Sequence, residues 1–311
     1  MKHLLAGIIA FSFLSLGIAA ADTVTPDAVV LQITGSVMVQ LPGQTTPVAL
    51  AEGAHIPQGA TIITGADSEV SIRPIGGVVS TVKANTTVQI EKLSVTTDNG
   101  TISNQTALIS LLSGNLVSTL DPSKKHINNY GVRTPKGVAA ARGTIYAVGV
   151  DAGGSTFATL SGVVAIALAD GNVIDVSLGT GLVISDSTGS TPAATPLSQA
   201  SPEVKAAVLE AANTVINLVK NNLEPTGDAA GTTTLLAAVV KAANEADPVG
   251  GKAITAAAIV AAQTNTTTSG SADSIANDLT AAGGQGSSTG QSGGNTTPVT
   301  TIDTSIVSPA H

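Results

Sequence analysis

The chain has no cysteine, no tryptophan and only 2% aromatic residues in 311. Without cysteine there is no disulfide framework, no thiolate metal site, no thiol nucleophile and no lipid-attachment residue behind a leader. With so few rings, the core has to be assembled from Ala, Val, Ile, Leu, Thr and Gly, which favours thin, regular layers of β-branched side chains over a bulky centre. Charge is scarce too, at 11% of residues, and the formal net charge is -8. The longest cationic run is the pair Lys124 and Lys125. A nucleic-acid partner, which needs clustered Lys and Arg, is therefore not expected.

Catalytic and metal-binding sets are equally thin. The histidines are His3, His55, His126 and His311, with no pair at helical ligand spacing. Either His55 or His126 can be written into a Ser-His-Asp set, but in a chain this rich in hydroxyls such a set has no weight without geometry. "VGGK" is followed by Ala253 where a phosphate loop needs a hydroxyl, and "DGN" lacks the alternating carboxylates of a calcium loop. Asp151, Asp170 and Asp175 lie in or beside turns, which suits solvation better than paired-carboxylate hydrolysis. The expectation is no catalytic residue, no cofactor and no metal.

What is present begins with a leader. Lys2 and His3 precede the apolar run "LLAGIIAFSFLSLGIAA", and the Ala19-Ala20-Ala21 triplet stands before Asp22. This is the pattern of a signal peptide over residues 1–21, giving a periplasmic, secreted or cell-surface protein. An uncleaved anchor is the alternative, since the run approaches the length of a span. No later segment is apolar enough to cross a bilayer.

From residue 22 to 186 the pattern is that of strands. "GSVMVQL", "EVSI", "TVQIEKL" and "GTIYAVGV" alternate, the last with Ile145, Ala147 and Gly149 on one side and Tyr146, Val148 and Val150 on the other. Turn signals fall between them at Pro42-Gly43, Asp98-Asn99-Gly100, Asp151 to Gly154 and Asp170-Gly171-Asn172. "VVAIALADGNVIDVSL" reads as the strongest hairpin. The fold class is a mainly β N-terminal domain, a short-strand sandwich or a solenoid-like stack, between which spacing does not choose.

A Ser/Thr/Pro linker is expected at 187–200, then an Ala-rich helical region at 201–282. Its first helix, over 202–223, has Ser201 as N-cap, Pro202 in the first turn and an apolar stripe at Val204, Val208, Ala211, Val215 and Leu218. "TTTLLAAVVKAANEA" and "GKAITAAAIVAAQ" supply further helices. Residues 283–311 are expected to be a disordered low-complexity tail.

The stretch "VRTPKGVAAARGTIYAVGV" resembles the signature of the FecR family: Thr134-Pro135, Gly137-Val138, then Arg142-Gly143-Thr144 before an alternating strand. "ITGSVMVQ", "LAEGAHIPQGATIITGADSEVSIRP" and "LLSGNLVSTL" upstream, and "ATLSGVVAIALADGNVIDVSLGTGLVI" downstream, are similar to that family's succession of strands. The resemblance implies an exported β-domain. In signalling members an anti-sigma segment and a membrane helix precede the domain, which touches a transporter's signalling domain, whereas here a leader stands in that place. The motif residues are read as structural. Arg142, hemmed by alanines, is read as a buried strut satisfying several carbonyls, the other reading being an exposed anion anchor shared with Lys136. The expected function is a non-enzymatic binding or scaffold module of the bacterial envelope, with an envelope or surface protein, or a polysaccharide, as partner. The alternatives are a sensing component of sigma-factor regulation, a surface structural protein and a polymer hydrolase.

Overall fold

The computed structural model describes residues 21–185 and 192–284. The expected leader up to residue 20, the first part of the expected linker and the tail from residue 285 lie outside the described residues.

The chain deals its strands alternately to two sheets. β1 (Asp22–Val24) lies in an outer sheet and β2 (Ala28–Thr34) in a middle sheet, while β3 (Val37–Gln40) and β4 (Val48–Ala49) return to the outer one. β5 (His55–Ile56) is in the middle sheet, β6 (Thr61–Thr64) in the outer, and β7 (Glu69–Arg73) and β8 (Val78–Val82) in the middle. β9 (Thr87–Asp98) and β10 (Thr101–Leu120) make an outer-sheet hairpin, followed there by β11 (Asn128–Thr134) and β12 (Gly137–Ala141). β13 (Ile145–Asp151) and β14 (Gly154–Ser161) lie in the middle sheet, and β15 (Val163–Leu168) and β16 (Val173–Ser177) in the outer. β17 (Thr180–Ser185) and the short β18 (Thr195–Pro196) close the middle sheet.

In space the outer sheet runs β4-β3-β6-β9-β10-β11-β12-β15-β16, with β1 beside the far end of β9. The middle sheet runs β5-β2-β7-β8-β10-β13-β14-β17-β18. Among the described residues both sheets end in edge strands, so the pairings make an open sandwich and not a closed barrel. Its strands advance along one axis nearly in sequence order. The sandwich and the solenoid-like stack were two views of one arrangement.

β10 belongs to both layers. Residues up to Ser113 pair with β9, and Gly114 to Leu120 pair with β8 and β13 in the middle sheet. The bend needs Gly114, at φ 88°, because a Cβ there would lie 2.2 Å from Thr86 Oγ1. Between the layers, Val39, Ile62, Ile90, Ile109 and Val132 of the outer sheet meet Val30, Ile72, Leu116, Val148 and Phe157 of the middle one, and all are buried. The alternation of small apolar side chains is what makes this layer thin.

The middle sheet is covered on its other face as well, by α1 (Pro202–Lys220) and α2 (Ala229–Ala246), with α3 (Pro248–Thr264) and α4 (Ala272–Gly284) packed on them. Val117, Ile145, Ala147, Ala158 and Leu160 share a second core with Val204, Val208, Val215 and Leu236. The two faces of "GTIYAVGV" thus feed two different cores, which is why neither face is polar. The Ser201 hydroxyl caps α1 by accepting from Val204 N, as its position foretold. α1 stops at Lys220, short of the expected 223, because Asn222 turns left-handed (φ 57°) and closes a Schellman motif, with Leu223 N donating to Leu218 O at 2.8 Å. Part of the expected linker is docked: Leu197 is buried at 1% exposure and its N donates to Gly179 O at 2.9 Å.

Candidate functional site

The motif residues build one local device. Thr134 ends β11, its Oγ1 donating to Gly137 O and accepting from Lys136 N, both at 3.2 Å, which fixes the tight Pro135-Lys136 turn. The same oxygen accepts from Ser155 Oγ of β14 at 3.1 Å and so ties the outer layer to the middle one. Gly137 lies against β15, where a Cβ would stand 2.6 Å from Ala167 O. Val138, on the outward face of β12, packs with Leu108 of β10. Arg142, Gly143 and Thr144 then carry the chain from one sheet to the other. Gly143, at φ 67°, passes so close to Pro122 that a Cβ would fall 2.7 Å from its Cα. Thr144 is buried, and its carbonyl accepts from Leu120 N at 2.9 Å.

Arg142 departs from the expected strut. It is half-buried, and its Nη2 donates to Asn129 Oδ1 at 2.6 Å, a side-chain acceptor in place of several carbonyls. Asn129 Nδ2 in turn donates to Asn104 Oδ1 at 2.8 Å. The guanidinium bridges β12's exit to β11 and β10 across the outer sheet.

Two concave surfaces flank this device. The first is a groove of about 330 Å³ on the outer sheet, lined among others by Thr134, Pro135, Val138, Ala167 and Leu168, with Arg133 at its rim. Arg133 Nε donates to Glu91 Oε2 at 2.8 Å, and Ser110 Oγ donates to the same oxygen at 2.5 Å. The second is a polar cleft of about 620 Å³ between the middle sheet and α1, walled by Asn115, Gly149 and Asp151 on one side and by Glu203, Glu210 and Asn217 on the other. Lys83 stands at its end, donating to Glu69 Oε2 at 2.5 Å and Thr214 Oγ1 at 3.2 Å. Burial pushes the Glu210 carboxyl above the usual carboxylate range, Lys83 drawing it down and Glu69 raising it further.

The other residues considered for chemistry are dispersed. His55 and His126 are exposed, on β5 and in the loop before β11. Asp151 accepts from Gly153 N and Gly154 N at 2.7 and 3.1 Å in its own turn. Asp170 accepts from the Asn172 backbone and side-chain nitrogens, which hold its carboxyl below the usual range, and Asp175 is exposed on β16. Among the described residues no group of His, Asp or Glu is placed to hold a metal ion. The Glu91, Ser110, Arg133 network and the Lys83 to Glu69 pair left no sign in the sequence, because their members meet across sheet pairings that no local spacing reports.

An open β-sandwich whose layers are stitched by a Thr-Pro hairpin and an Arg-Gly-Thr crossover defines the class of protein. Residues 60–165, from the entry to β6 through most of β15, match the family model described as FecR protein. The matched segment contains every motif residue from Thr134 to Thr144 on which the resemblance was drawn. Two crystal structures of a proposed anti-sigma factor from Parabacteroides distasonis ATCC 8503, at 1.65 and 2.50 Å, are similar at 12% identity and a TM-score of 0.35, over 44% of this chain. The match spans 59% of that protein's chain. No curated protein matches the sequence.

Proposed function

We propose that the protein is exported to the periplasm or the cell surface, loses residues 1–21, and works as a non-enzymatic FecR-domain module that binds a protein partner. The observation that carries this reading is the groove on the outer sheet. It is formed by the family's own hairpin, lined by Pro135, Val138, Ala167 and Leu168, and set on the face opposite the helices. A small apolar patch with a charged side chain, Arg133, in its lining is a common form of a protein contact. A protein is favoured over a polysaccharide because Tyr130, Tyr146 and Phe157, the aromatic residues beyond the leader, are all buried and offer no ring for a sugar to stack on. Among the described residues no helix is long and apolar enough to cross a membrane. A second reading, a sensing component of sigma-factor regulation, is favoured by the family match alone.

The test is photo-crosslinking in the producing cell. Leu112, 53% exposed, lies two residues beyond Ser110 on the outer face, and Val260, 50% exposed on α3, serves as the control. A benzophenone side chain at Leu112 should yield a discrete protein adduct that Val260 does not, and its identity distinguishes a regulatory partner from any other. Equal labelling at both positions, or none, would overturn the reading. Intact mass of the exported protein should place its first residue at Asp22, and a full-length mass in the membrane fraction would refute cleavage.

A further inference from the structure

The polar cleft between the middle sheet and α1 is shaped from both sides. On α1, Glu203, Ala206, Ala207, Glu210 and Asn213 recur at spacings of three and four and share one face of the helix, beside the apolar stripe that packs on the sheet. Facing them, Asn115 of β10, Gly149 of β13 and Thr156 of β14 stand in one register row of the middle sheet. The helix side of β13 is apolar at Ile145 and Ala147 and then drops to no side chain at Gly149, where a Cβ would lie 2.8 Å from Asn115 Oδ1. Small residues in both walls, Gly114 and Gly149 in one and Ala206 and Ala207 in the other, leave the space of about 620 Å³, a volume typical of small-molecule sites.

We propose that this cleft binds a linear aliphatic polyamine of spermidine's length, with one terminal ammonium between Asp151 and Glu203 and the other at Glu210. The lining sets three carboxylates, Asp151, Glu203 and Glu210, against one cation, Lys83. That cation is already engaged by Glu69 and by Thr214 Oγ1. The carboxylates are also divided between the two walls. Asp151 of the sheet repels Glu203 of α1, and Glu69 of the sheet repels Glu210 of α1, so a like-charge pair faces itself across the gap in two places. An ammonium group seated at each relieves both repulsions.

The spacing sets the length of the ligand. Glu203 and Glu210 are two turns apart on one helix face, roughly 10 Å along the axis. Extended spermidine matches that span, and the shorter putrescine does not. Between the two carboxylates the walls offer Ala206, Ala207, Gly149 and Val150, a surface suited to methylenes because it carries no charge. The side-chain oxygens of Asn115, Asn213 and Thr156 line the same space and can accept from the remaining N–H donors. A metal ion is a poorer occupant, since it needs its ligands gathered at one point, and among the described residues no such group is found. The inference goes beyond the partner-binding reading, since the cleft lies on the helix side of the middle sheet and the groove on the outer sheet.

Isothermal titration calorimetry of the full mature chain tests it, with spermidine as the probe and putrescine and butylamine as the shorter and the singly charged controls. Spermidine should bind at least about tenfold tighter than either control. Glu203→Gln and Glu210→Gln should each weaken spermidine by about tenfold, because each leaves one ammonium without its carboxylate. Ala206→Phe, at an exposed position and without change of charge, should abolish binding by filling the space between the walls. Glu203 is exposed too, so its variant carries the test if the phenyl ring disturbs α1. Asp175→Asn, on β16 of the outer sheet, removes the same charge elsewhere and should leave the affinity as it is. Spermidine binding no tighter than butylamine, or binding that ignores both Glu203→Gln and Ala206→Phe, would overturn the proposal. So would an equal loss with Asp175→Asn, which would assign the binding to the net charge of the chain and not to the cleft.

Discussion

Arg142 and Asn129 meet at 2.6 Å, Nη2 to Oδ1, at the point where the chain leaves the outer sheet for the middle one. A half-exposed guanidinium with one side-chain acceptor has less to lose than a buried one ringed by carbonyls. Arg142→Ala should lower stability by about 1–2 kcal/mol. Arg142→Lys should recover part of this, since an ammonium can satisfy one acceptor. Denaturant midpoints for Arg142→Ala, Asn129→Ala and the double variant give the coupling, and the double should cost less than the sum of the singles. Fully additive losses would place the role of Arg142 elsewhere.

The chain's two tyrosines lie edge to face in the core between the sheets, with centroids 6.4 Å apart, yet they are not equivalent. Tyr130 Oη is hydrogen-bonded to Ser80 and Ser118 at 2.7 and 2.9 Å, whereas Tyr146 Oη is buried with no hydrogen bond of ordinary geometry, the Ser118 hydroxyl beside it being engaged by Tyr130. Burial pushes the Tyr130 phenol up to about 12 and raises Tyr146 well above its usual value. Tyr130→Phe should therefore destabilise by about 1–3 kcal/mol, because two buried serine hydroxyls lose their partner, while Tyr146→Phe should be neutral or stabilising by up to about 1 kcal/mol. Thermal unfolding of the two variants decides it, and the reverse order would show that Tyr146 is the bonded phenol.

How much of this was legible beforehand follows from range. Alternation and turns are local, so "VVAIALADGNVIDVSL" could be read as the β15 and β16 hairpin, and Asp98-Asn99-Gly100 as the turn between β9 and β10. Ser201 as a cap was equally local. Which layer each hairpin joins is not local: the switch of β10 at Gly114 depends on Thr86, and the crossover at Gly143 on Pro122. α4 escaped notice because two buried residues, Ile275 and Leu279, make too short a stripe to stand out from an Ala-rich background. The acceptor of Arg142 was missed for the same reason as the two clefts: each is assembled across strand pairings.

Glu210 gives the cleft a pH signature. Its carboxyl is raised in the folded protein, chiefly by burial, so the folded state holds the proton more tightly than the unfolded chain. The linkage then runs against folding as pH rises: stability is highest below the unfolded value of about 4.3 and falls as pH climbs through the folded value. Glu210→Gln should remove that fall. The variant should be more stable than the parent at neutral pH and indistinguishable from it near pH 4, as read from denaturant midpoints across the range. A parent that loses stability on acidification through the same window, with Glu210→Gln abolishing the loss, would mean that Lys83 and not burial governs the carboxylate.

The helices and the strands stand or fall together. α1 and α2 complete a core with Val117, Ile145, Ala147, Ala158 and Leu160 of the middle sheet, and Leu197, inside the expected linker, is buried in that same core. Removing α1 and α2 would bare these side chains at about 25 cal/mol for each Å² exposed. Limited proteolysis should therefore cut within residues 186–194 and after Gly284, sparing Leu197. The nicked fragments should co-elute on gel filtration and separate only in denaturant. If the fragment ending near residue 186 elutes alone and keeps a strand-type circular dichroism spectrum, the helical region is an appendage and the second core contributes nothing to the fold.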